Sequence, residues 1–335
     1  MEIINLEAKI GDFTLGPISV SFKEGCITAI LGPSGSGKST FLKTICGLLP
    51  SKGKVVLNNH DLSNTAPHLR RMAMMFQSYA LFPNMNTFKN ISFPLNVKKV
   101  KSEIVKKVVH TRAREMNAGL EESLSFMPKA LPDGLKQATA FARETIRDFD
   151  VFMLDEPFSR LDAYQKQFVR VDLKKRLLKM KKTCIVVLSD AIDALSLAEK
   201  IAVLIDGKIA QFGDAIEVYD HPKNLEVARI MSPLGLNVVD CRDFEVPPGS
   251  VLSFRPSGVY ESENGMEFEI NSIEPLDSRR GLFHLKRNDC EVVALLSNAF
   301  SKKVGQKVRI SLEQGKSWIF KGEKIERTQR FGRRT

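Results

Sequence analysis

Residues 26–40 place a strand, a glycine-rich loop and a helix in direct succession, and that unit limits the chain to a narrow set of folds. Cys26-Ile27-Thr28-Ala29-Ile30-Leu31 is apolar enough for a buried strand, and Thr40-Phe41-Leu42-Lys43-Thr44-Ile45-Cys46 reads as a helix. Between them Gly32, Pro33, Ser34, Gly35, Ser36, Gly37, Lys38, Ser39 and Thr40 carry the spacing of a phosphate-binding loop: Gly, four residues, Gly-Lys-Ser. The glycines let successive backbone N–H groups converge on phosphate oxygens, and the helix N-terminus adds partial positive charge. Lys38 is then expected at the β- and γ-phosphates and the Ser39 hydroxyl on Mg²⁺, so the chain is predicted to bind a nucleoside triphosphate.

Hydrolysis of such a ligand needs a second, carboxylate-bearing strand. Val151-Phe152-Met153-Leu154-Asp155-Glu156 supplies one. Asp155 at the strand end can hold Mg²⁺ through its water shell, and Glu156 can polarise an attacking water. Gln77, after the apolar run Met72-Ala73-Met74-Met75-Phe76, is a candidate metal- or water-facing amide.

The alternation of elements extends this α/β reading. Helical charge patterning from about Lys98 to Asn117 suggests a helical insertion, placed at about residues 85–148. A helix is expected from Ala163 to Met180, with buried strands at Thr183–Leu188 and Ile201–Ile205. Strands alternating with helices predict a mainly parallel sheet covered on both faces. After Pro233-Leu234-Gly235 the texture changes to short strand-like pieces. Turn signals separate them at Pro247-Pro248-Gly249, Glu263-Asn264-Gly265 and Arg287-Asn288-Asp289. Residues 1–234 are thus expected to form a nucleotide-binding domain and 235–335 a small all-β domain such as a barrel.

Composition excludes several classes. Across 335 residues no apolar run is long enough to span a bilayer, and the start, Met1-Glu2-Ile3-Ile4-Asn5, lacks a secretory pattern. The cysteines at 26, 46, 184, 241 and 290 are widely spaced, without metal-ligand spacing, and are expected as reduced core residues in a cytosolic protein. The formal charge of +11 is concentrated at Lys98–Lys107 and in a tail with Arg327, Arg330, Arg333 and Arg334. Neither stretch interleaves aromatics for base stacking, so a nucleic-acid partner is not expected.

Several segments together resemble the ATP-binding subunit of an ATP-binding-cassette (ABC) transporter. They are Gly32–Thr40, Met75–Pro83, Leu154-Asp155-Glu156-Pro157-Phe158-Ser159 and Arg160-Leu161-Asp162-Ala163, continuing through Ile201–Ile209, Gly213-Asp214 and Val218–Pro222. The resemblance runs over about residues 1–235. The C-terminal part is similar, less sharply, to the oligonucleotide-fold regulatory domain of carbohydrate-type importer ATPases, through Phe254-Arg255-Pro256 and Ile273–Leu276. It implies a P-loop NTPase domain with a helical insertion and an oligonucleotide-fold-like β-domain. It also implies ATP and Mg²⁺ as ligands and a place on the cytoplasmic face of the membrane. The implied partners are permease subunits, a second ATP-binding subunit and, indirectly, an external solute-binding protein. The nearest family branches import sugars, glycerol or glycerol 3-phosphate. By the same resemblance Phe13 stacks on adenine, Gln77 senses Mg²⁺ and touches the permease, and Asp162 crosses the dimer interface. The segment Tyr79–Phe93 would dock a permease helix.

Two stretches depart from the family pattern. Where the family reads Leu-Ser-Gly-Gly-Gln, this chain has Leu131-Pro132-Asp133-Gly134-Leu135. Pro132 removes a hydroxyl and an N–H donor. Asp133 sets a carboxylate toward the triphosphate of the opposite subunit, where two unit charges ~4 Å apart repel by about 4 kcal/mol at an effective dielectric of 20. A helix remains compatible, with Pro132 at its first position and Asp133 at its positive end. Where the family has His-Asp, this chain has Ser189-Asp190. Ser189 is still expected near the nucleotide, but without an imidazole. In a homodimer both composite sites would carry both changes, whereas beside an intact paralogue each site would lack only one part, which favours a heterodimer. Two alternative classes are a hydrolysis-deficient regulatory partner and a cassette protein of translation or DNA repair. The absence of a long coiled coil and the single nucleotide domain argue against the last.

Overall fold

The structure is a computed structural model that describes residues 1–327 apart from 117, 118, 241–243, 245, 314 and 323. Cys241 and the basic residues Arg330, Arg333 and Arg334 lie outside the described residues. The chain divides into two compact units, Met1–Ala215 and Ile216–Thr335.

The first unit runs β1 (Glu2–Ile10), β2 (Phe13–Ser21), β3 (Ile27–Leu31), α1 (Lys38–Ile45), β4 (Lys52–Leu57), β5 (His60–Asp61) and β6 (Met72–Met75). Three helices follow, α2 (Thr87–Val97), α3 (Ser102–Glu115) and α4 (Asp133–Thr145). It then continues β7 (Val151–Asp155), α5 (Ala163–Met180), β8 (Thr183–Leu188), α6 (Ala191–Leu197), β9 (Lys200–Ile205) and β10 (Lys208–Asp214). Its main sheet is six-stranded in the order β10-β9-β3-β8-β7-β6. All pairs from β9 to β6 are parallel, and β10 closes the edge antiparallel to β9. Every residue of β3, β7 and β8 is buried, as their mainly apolar runs require of strands covered on both faces, with Thr28, Asp155 and Thr183 the buried polar residues among them. A second, antiparallel sheet has the order β2-β1-β4-β5. Its inward residues, with Phe22, Phe41, Met74, Val187 and Leu204, form one core between the sheets.

Local chemistry accounts for the element ends. Asp162 accepts from Gln165 N at 2.8 Å and so starts α5, while left-handed Lys181 (φ 51°) ends it. Asn86 and Asp190 cap α2 and α6 in the same way. The first helix begins at Lys38, two residues before the expected start, so Lys38 and Ser39 lie on helical backbone. Pro132 occupies the N-cap of α4 with no side-chain cap bond, and Asp133, not Pro132, is the first helical residue. This corrects the expected register by one position. The φ of −57° that the proline ring sets suits both the cap and the first helical position, and the extended ψ of 156° is what makes Pro132 the cap.

Between β6 and α2 the loop is pinned by Asn90, which is fully buried. Its amide donates to the Phe82 and Met85 carbonyls at 3.1 and 2.8 Å and accepts from Phe82 N at 2.8 Å. Arg143 of α4 donates to the Tyr79 and Ala80 carbonyls at 3.0 and 2.7 Å, holding two residues of left-handed backbone.

In the second unit α7 (Ala215–Asp220) and α8 (Leu225–Ile230) precede β11 (Asn237–Val239), β12 (Ser250–Phe254), β13 (Val259–Pro275), β14 (Arg280–Arg287), β15 (Cys290–Ser297), β16 (Lys307–Leu312), β17 (Ser317–Lys321) and β18 (Lys324–Arg327). The strands form two four-stranded antiparallel sheets, β11-β12-β17-β18 and β15-β14-β13-β16, rather than one closed barrel. Phe254, Phe268, Phe283 and Ile319 join both sheets in one core. Glu263-Asn264-Gly265 is not a turn: it lies inside β13, at a register shift between Glu261 and Met266. A Cβ on Gly265 would approach the Ile310 carbonyl to 2.4 Å, so glycine here serves close strand approach. Arg255 lies 3.5 Å over the Tyr219 ring and 4.7 Å from the Trp318 ring, and bonds Ser232 Oγ and the Tyr219 carbonyl. Cys26, Cys46 and Cys184 are buried free thiols. Cys290 is disulfide-bonded, which corrects the expectation of a fully reduced set.

Candidate functional site

The phosphate loop bridges the C-terminal end of β3 and the start of α1. Its tip, Pro33-Ser34-Gly35, is exposed, whereas Gly32, Ser36 and Lys38 are buried. The backbone fits only glycine at two positions. A Cβ on Gly32 would reach the Leu204 carbonyl at 2.1 Å, and one on Gly37 (φ 96°) would reach Phe13 Cζ at 2.6 Å. Phe13 therefore packs on the loop itself, half-buried. Thr40 is half-buried on α1, and its carbonyl accepts from Thr44 Oγ1 at 2.8 Å.

Charged groups converge beneath the loop. Lys38 Nζ donates to the Gly32 and Pro33 carbonyls at 2.8 and 2.9 Å and lies 3.9 Å from Glu156 Oε1. Ser39 Oγ donates to Asp155 Oδ1 at 2.8 Å. Ser189 Oγ donates to Glu156 Oε2 at 3.1 Å. The register Asp155↔Val187 between β7 and β8 brings these last two residues together from positions far apart in the chain. Gln77 Nε2 donates to Ser159 Oγ at 3.4 Å, and that hydroxyl donates to the Glu156 carbonyl at 3.0 Å. Burial raises the pKa of Asp155 against the Ser39 bond, and raises that of Glu156 against the Ser189 bond and the Lys38 charge. Burial lowers that of Lys38, opposed by Glu156 and Asp155.

These donors suit a hard divalent cation. Ser39 Oγ and Asp155 Oδ1 are adjacent oxygens at the loop, and Mg²⁺ is usually held by one or two carboxylates together with substrate phosphates. Buried Ser36 Oγ has no hydrogen-bond partner among the described residues, consistent with a cradle shaped for a ligand.

Phe13, Lys38, Ser39, Asp155, Glu156 and Ser189 thus converge on the loop of residues 32–40, with Gln77 joined through Ser159, while the tip residues Ser34 and Gly35 stay exposed. Asp162 is not part of this group: exposed, it is engaged as the cap of α5. Ser159 and Arg143 were not singled out by sequence reasoning. Ser159 ends the Leu154–Ser159 segment that carries the family resemblance, but nothing local marks Arg143 as the clamp of Tyr79 and Ala80.

At the degenerate segment, Asp133 Oδ1 is paired with Lys136 Nζ at 2.9 Å, so its charge is partly neutralised within the first turn of α4. Gln137 donates to the Pro157 carbonyl at 2.8 Å, tying α4 to the residue after Glu156. A groove of about 830 Å³ lies between α4 and α5, lined by Gly134, Ala138, Phe141, Tyr164 and Phe168. It holds none of the charged groups beneath the loop.

A sequence profile described as "ABC transporter" matches residues 15–159. An uncharacterised ABC transporter ATP-binding protein of Sinorhizobium fredii is 31% identical over 95% of this chain and 92% of its own length. An sn-glycerol-3-phosphate import ATP-binding protein of Bartonella bacilliformis is 30% identical over 93% of this chain and 94% of its own. An oligosaccharides import ATP-binding protein of Bacillus subtilis is 38% identical over 69% of this chain and 62% of its own. Among solved structures, a dimeric post-hydrolysis state of an ATP-binding cassette bound to ADP and Pi matches with a TM-score of 0.57 and 27% identity. It covers 64% of this chain and 98% of that one.

Proposed function

Since the chain belongs to the family of ABC transporter ATP-binding proteins, we propose that it couples ATP binding and hydrolysis to uptake of a sugar, glycerol or related polyol through a membrane permease. The observation that carries the catalytic part is the convergence of Lys38, Ser39, Asp155 and Glu156 beneath one loop. Lys38 would exchange its carbonyl partners for β- and γ-phosphate oxygens, and the glycine-rich backbone would supply N–H donors. Ser39 and Asp155 would hold Mg²⁺, which when bound neutralises charge on the transferring phosphoryl group. Glu156 would take the proton of the attacking water, and Gln77 would report on that chemistry through Ser159. Phe13, packed on Gly37, is positioned to meet the base of the nucleotide.

The solute class is supported by the named imports of the relatives, which include sn-glycerol 3-phosphate, oligosaccharides and maltose/maltodextrin. No helix among the described residues is long and apolar enough to cross a membrane, so attachment to the cytoplasmic face would run through permease subunits. Residues 1–234 would act as the ATP-binding domain, with Tyr79–Phe93 on the permease side and Asp162 facing a second ATP-binding subunit. Residues 235–335 would form a regulatory domain, and an external solute-binding protein would act indirectly.

A second reading, a nucleotide-binding partner that needs an intact paralogue for turnover, is favoured by one observation. Pro132 brings no hydroxyl to the start of α4, and Asp133 is closed onto Lys136. Steady-state ATP hydrolysis by the purified chain, with Lys38→Ala and Glu156→Gln as controls, separates the two. Turnover abolished by both controls supports a self-sufficient ATPase. Tight ATP binding without turnover supports the heterodimer.

A further inference from the structure

Lys98-Lys99-Val100-Lys101 joins α2 to α3, and Lys106 and Lys107 follow in the second turn of α3. All five lysines are exposed, and their side chains make no ion pair or hydrogen bond among the described residues. The arginines of the same helix differ: Arg112 is paired with Glu115 at 2.9 Å and Arg114 with Glu121 at 2.7 Å. Glu103 is the one acidic residue from 97 to 107, which leaves five positive charges against one negative.

Helix stability does not account for these cations. Lys98 and Lys99 lie at the C-terminal end of α2, where the helix dipole favours positive charge. Lys101 stands instead at the N-cap of α3, where positive charge is unfavourable, and makes no side-chain cap bond. Lys99 also holds left-handed backbone, φ 55°, at a position glycine fills more easily. The turn is nevertheless tied down. Lys99 N donates to the Asn96 carbonyl at 2.9 Å and Val100 N to the Leu95 carbonyl at 3.1 Å, so the lysines project from a fixed backbone.

Apolar side chains frame the same turn. Val97, the last residue of α2, is 66% exposed, and Ile104, in the first turn of α3, is 50% exposed. The buried stripe of α3 is Val105, Val109 and Ala113, so Ile104 and Lys107 belong to its outward face. No aromatic residue lies between 97 and 107, so this surface offers bases nothing to stack on. Lysine, a compact charge on a flexible stem, suits a diffuse field of phosphates, whereas forked recognition of one phosphate calls for arginine.

We infer that this turn docks on an anionic lipid surface, with its lysines among the headgroup phosphates and Val97 and Ile104 at the edge of the acyl region. It lies at the end of α2, the helix whose first part falls in the segment Tyr79–Phe93 assigned above to the permease side. The inference goes beyond that reading and does not depend on it, because the contact needs neither permease nor nucleotide.

The test sediments the full chain, without nucleotide, with vesicles of phosphatidylcholine alone or containing about 30% phosphatidylglycerol. Binding is expected on the anionic vesicles and should fall as salt screens it. Each lysine near such a surface strengthens binding about fivefold, so Lys101→Gln, Lys106→Gln and Lys107→Gln combined should weaken it by about a hundredfold. These side chains are exposed and glutamine is a comparable helix former, so the thermal melt should match wild type. Val97→Ser with Ile104→Ser should weaken vesicle binding by about threefold. Arg330→Gln, Arg333→Gln and Arg334→Gln combined removes as many charges elsewhere in the chain and should cost less than about tenfold. Equal binding to both vesicle compositions overturns the inference, as does equal binding by wild type and the triple lysine variant. Lysine-dependent binding of a single-stranded RNA oligonucleotide without binding to anionic vesicles also overturns it. Failure of the transport reading would show instead as absent ATP turnover, which the vesicle measurements do not use.

Discussion

Ser39 Oγ lies 2.8 Å from Asp155 Oδ1, joining the first turn of α1 to the end of β7 across 116 residues of sequence. Through this contact the loop and the acidic strand form one site, and each can be perturbed without the other.

Removing the loop cation separates binding from folding. Lys38→Ala is expected to weaken Mg-ATP binding by at least about tenfold, because a charge-assisted contact to phosphate is worth roughly 1.5–3 kcal/mol. The chain should stay folded, since the alanine leaves without the ammonium two carbonyl acceptors, Gly32 and Pro33, and the half-buried Glu156 carboxylate, which keeps its bond from Ser189. Titration calorimetry with ATP and Mg²⁺, alongside a thermal melt, checks both parts.

Glu156→Gln should show the opposite pattern. Amide for carboxylate keeps the shape and a partner for Ser189 but removes the base, so turnover should fall by about 10²–10⁴-fold. ATP affinity should stay within about threefold of wild type. Single-turnover hydrolysis and equilibrium nucleotide binding on the same preparation provide the comparison, and equal turnover in both proteins would remove Glu156 from the chemistry.

The Arg143 clamp is a stability prediction. Its guanidinium is 7% exposed and holds the Tyr79 and Ala80 carbonyls. Arg143→Met should destabilise the first unit by about 3 kcal/mol, because two carbonyls lose a charged donor and Glu144 loses a neighbouring charge. Urea denaturation reads the energy. Faster amide exchange confined to the segment around Tyr79 and Ala80 would locate it.

Glu121 gives a pH dependence. The Arg114 guanidinium and the His110 ring bond its carboxylate and hold its pKa down to about 2, from an ordinary 4.5. The folded state therefore binds the proton less readily than the unfolded one. The resulting stability is complete above about pH 4.5 and is lost as pH falls toward about 2. Glu121→Gln should lower Tm at pH 6, and the gap to wild type should narrow at each step below pH 4.5. A constant gap would show that the pair contributes packing and not charge.

In the second unit, Arg255→Lys should fail to replace arginine. A lysine cannot lie flat against the Tyr219 ring while bonding both Ser232 Oγ and the Tyr219 carbonyl. Calorimetry should show Lys and Ala variants destabilised to a similar extent, within about 1 kcal/mol of each other.

Legibility in the sequence followed how local each determinant is. The bounds of α5, Ala163–Met180, could be read from composition: a run rich in Lys and Leu without Gly or Pro follows Asp162, which caps the helix. The run at Thr183–Leu188 is apolar after its first residue and is the strand β8. The phosphate loop and Asp155-Glu156 were likewise visible as contiguous motifs. What stayed hidden was set by pairing. The Ser189–Glu156 bond depends on β8 lying beside β7, and Glu263-Asn264-Gly265 reads as a turn until the partner strand β16 is known to approach it. The one-residue misplacement of Pro132 has a similar origin, since proline is compatible with both the cap and the first helical position.

The strand order carries a consequence for synthesis. β8, residues 183–188, lies between β3, residues 27–31, and β7, residues 151–155. A chain emerging from the ribosome therefore makes its phosphate loop almost at once, but the strand that joins β3 to β7 appears only after both flanks have been released. Until then β3 and the β6–β7 pair have unsatisfied edges facing one another, a state open to wrong pairing. Truncated nascent chains should gain ATP binding abruptly once the region around residue 188 clears the exit tunnel, however early the loop itself was made.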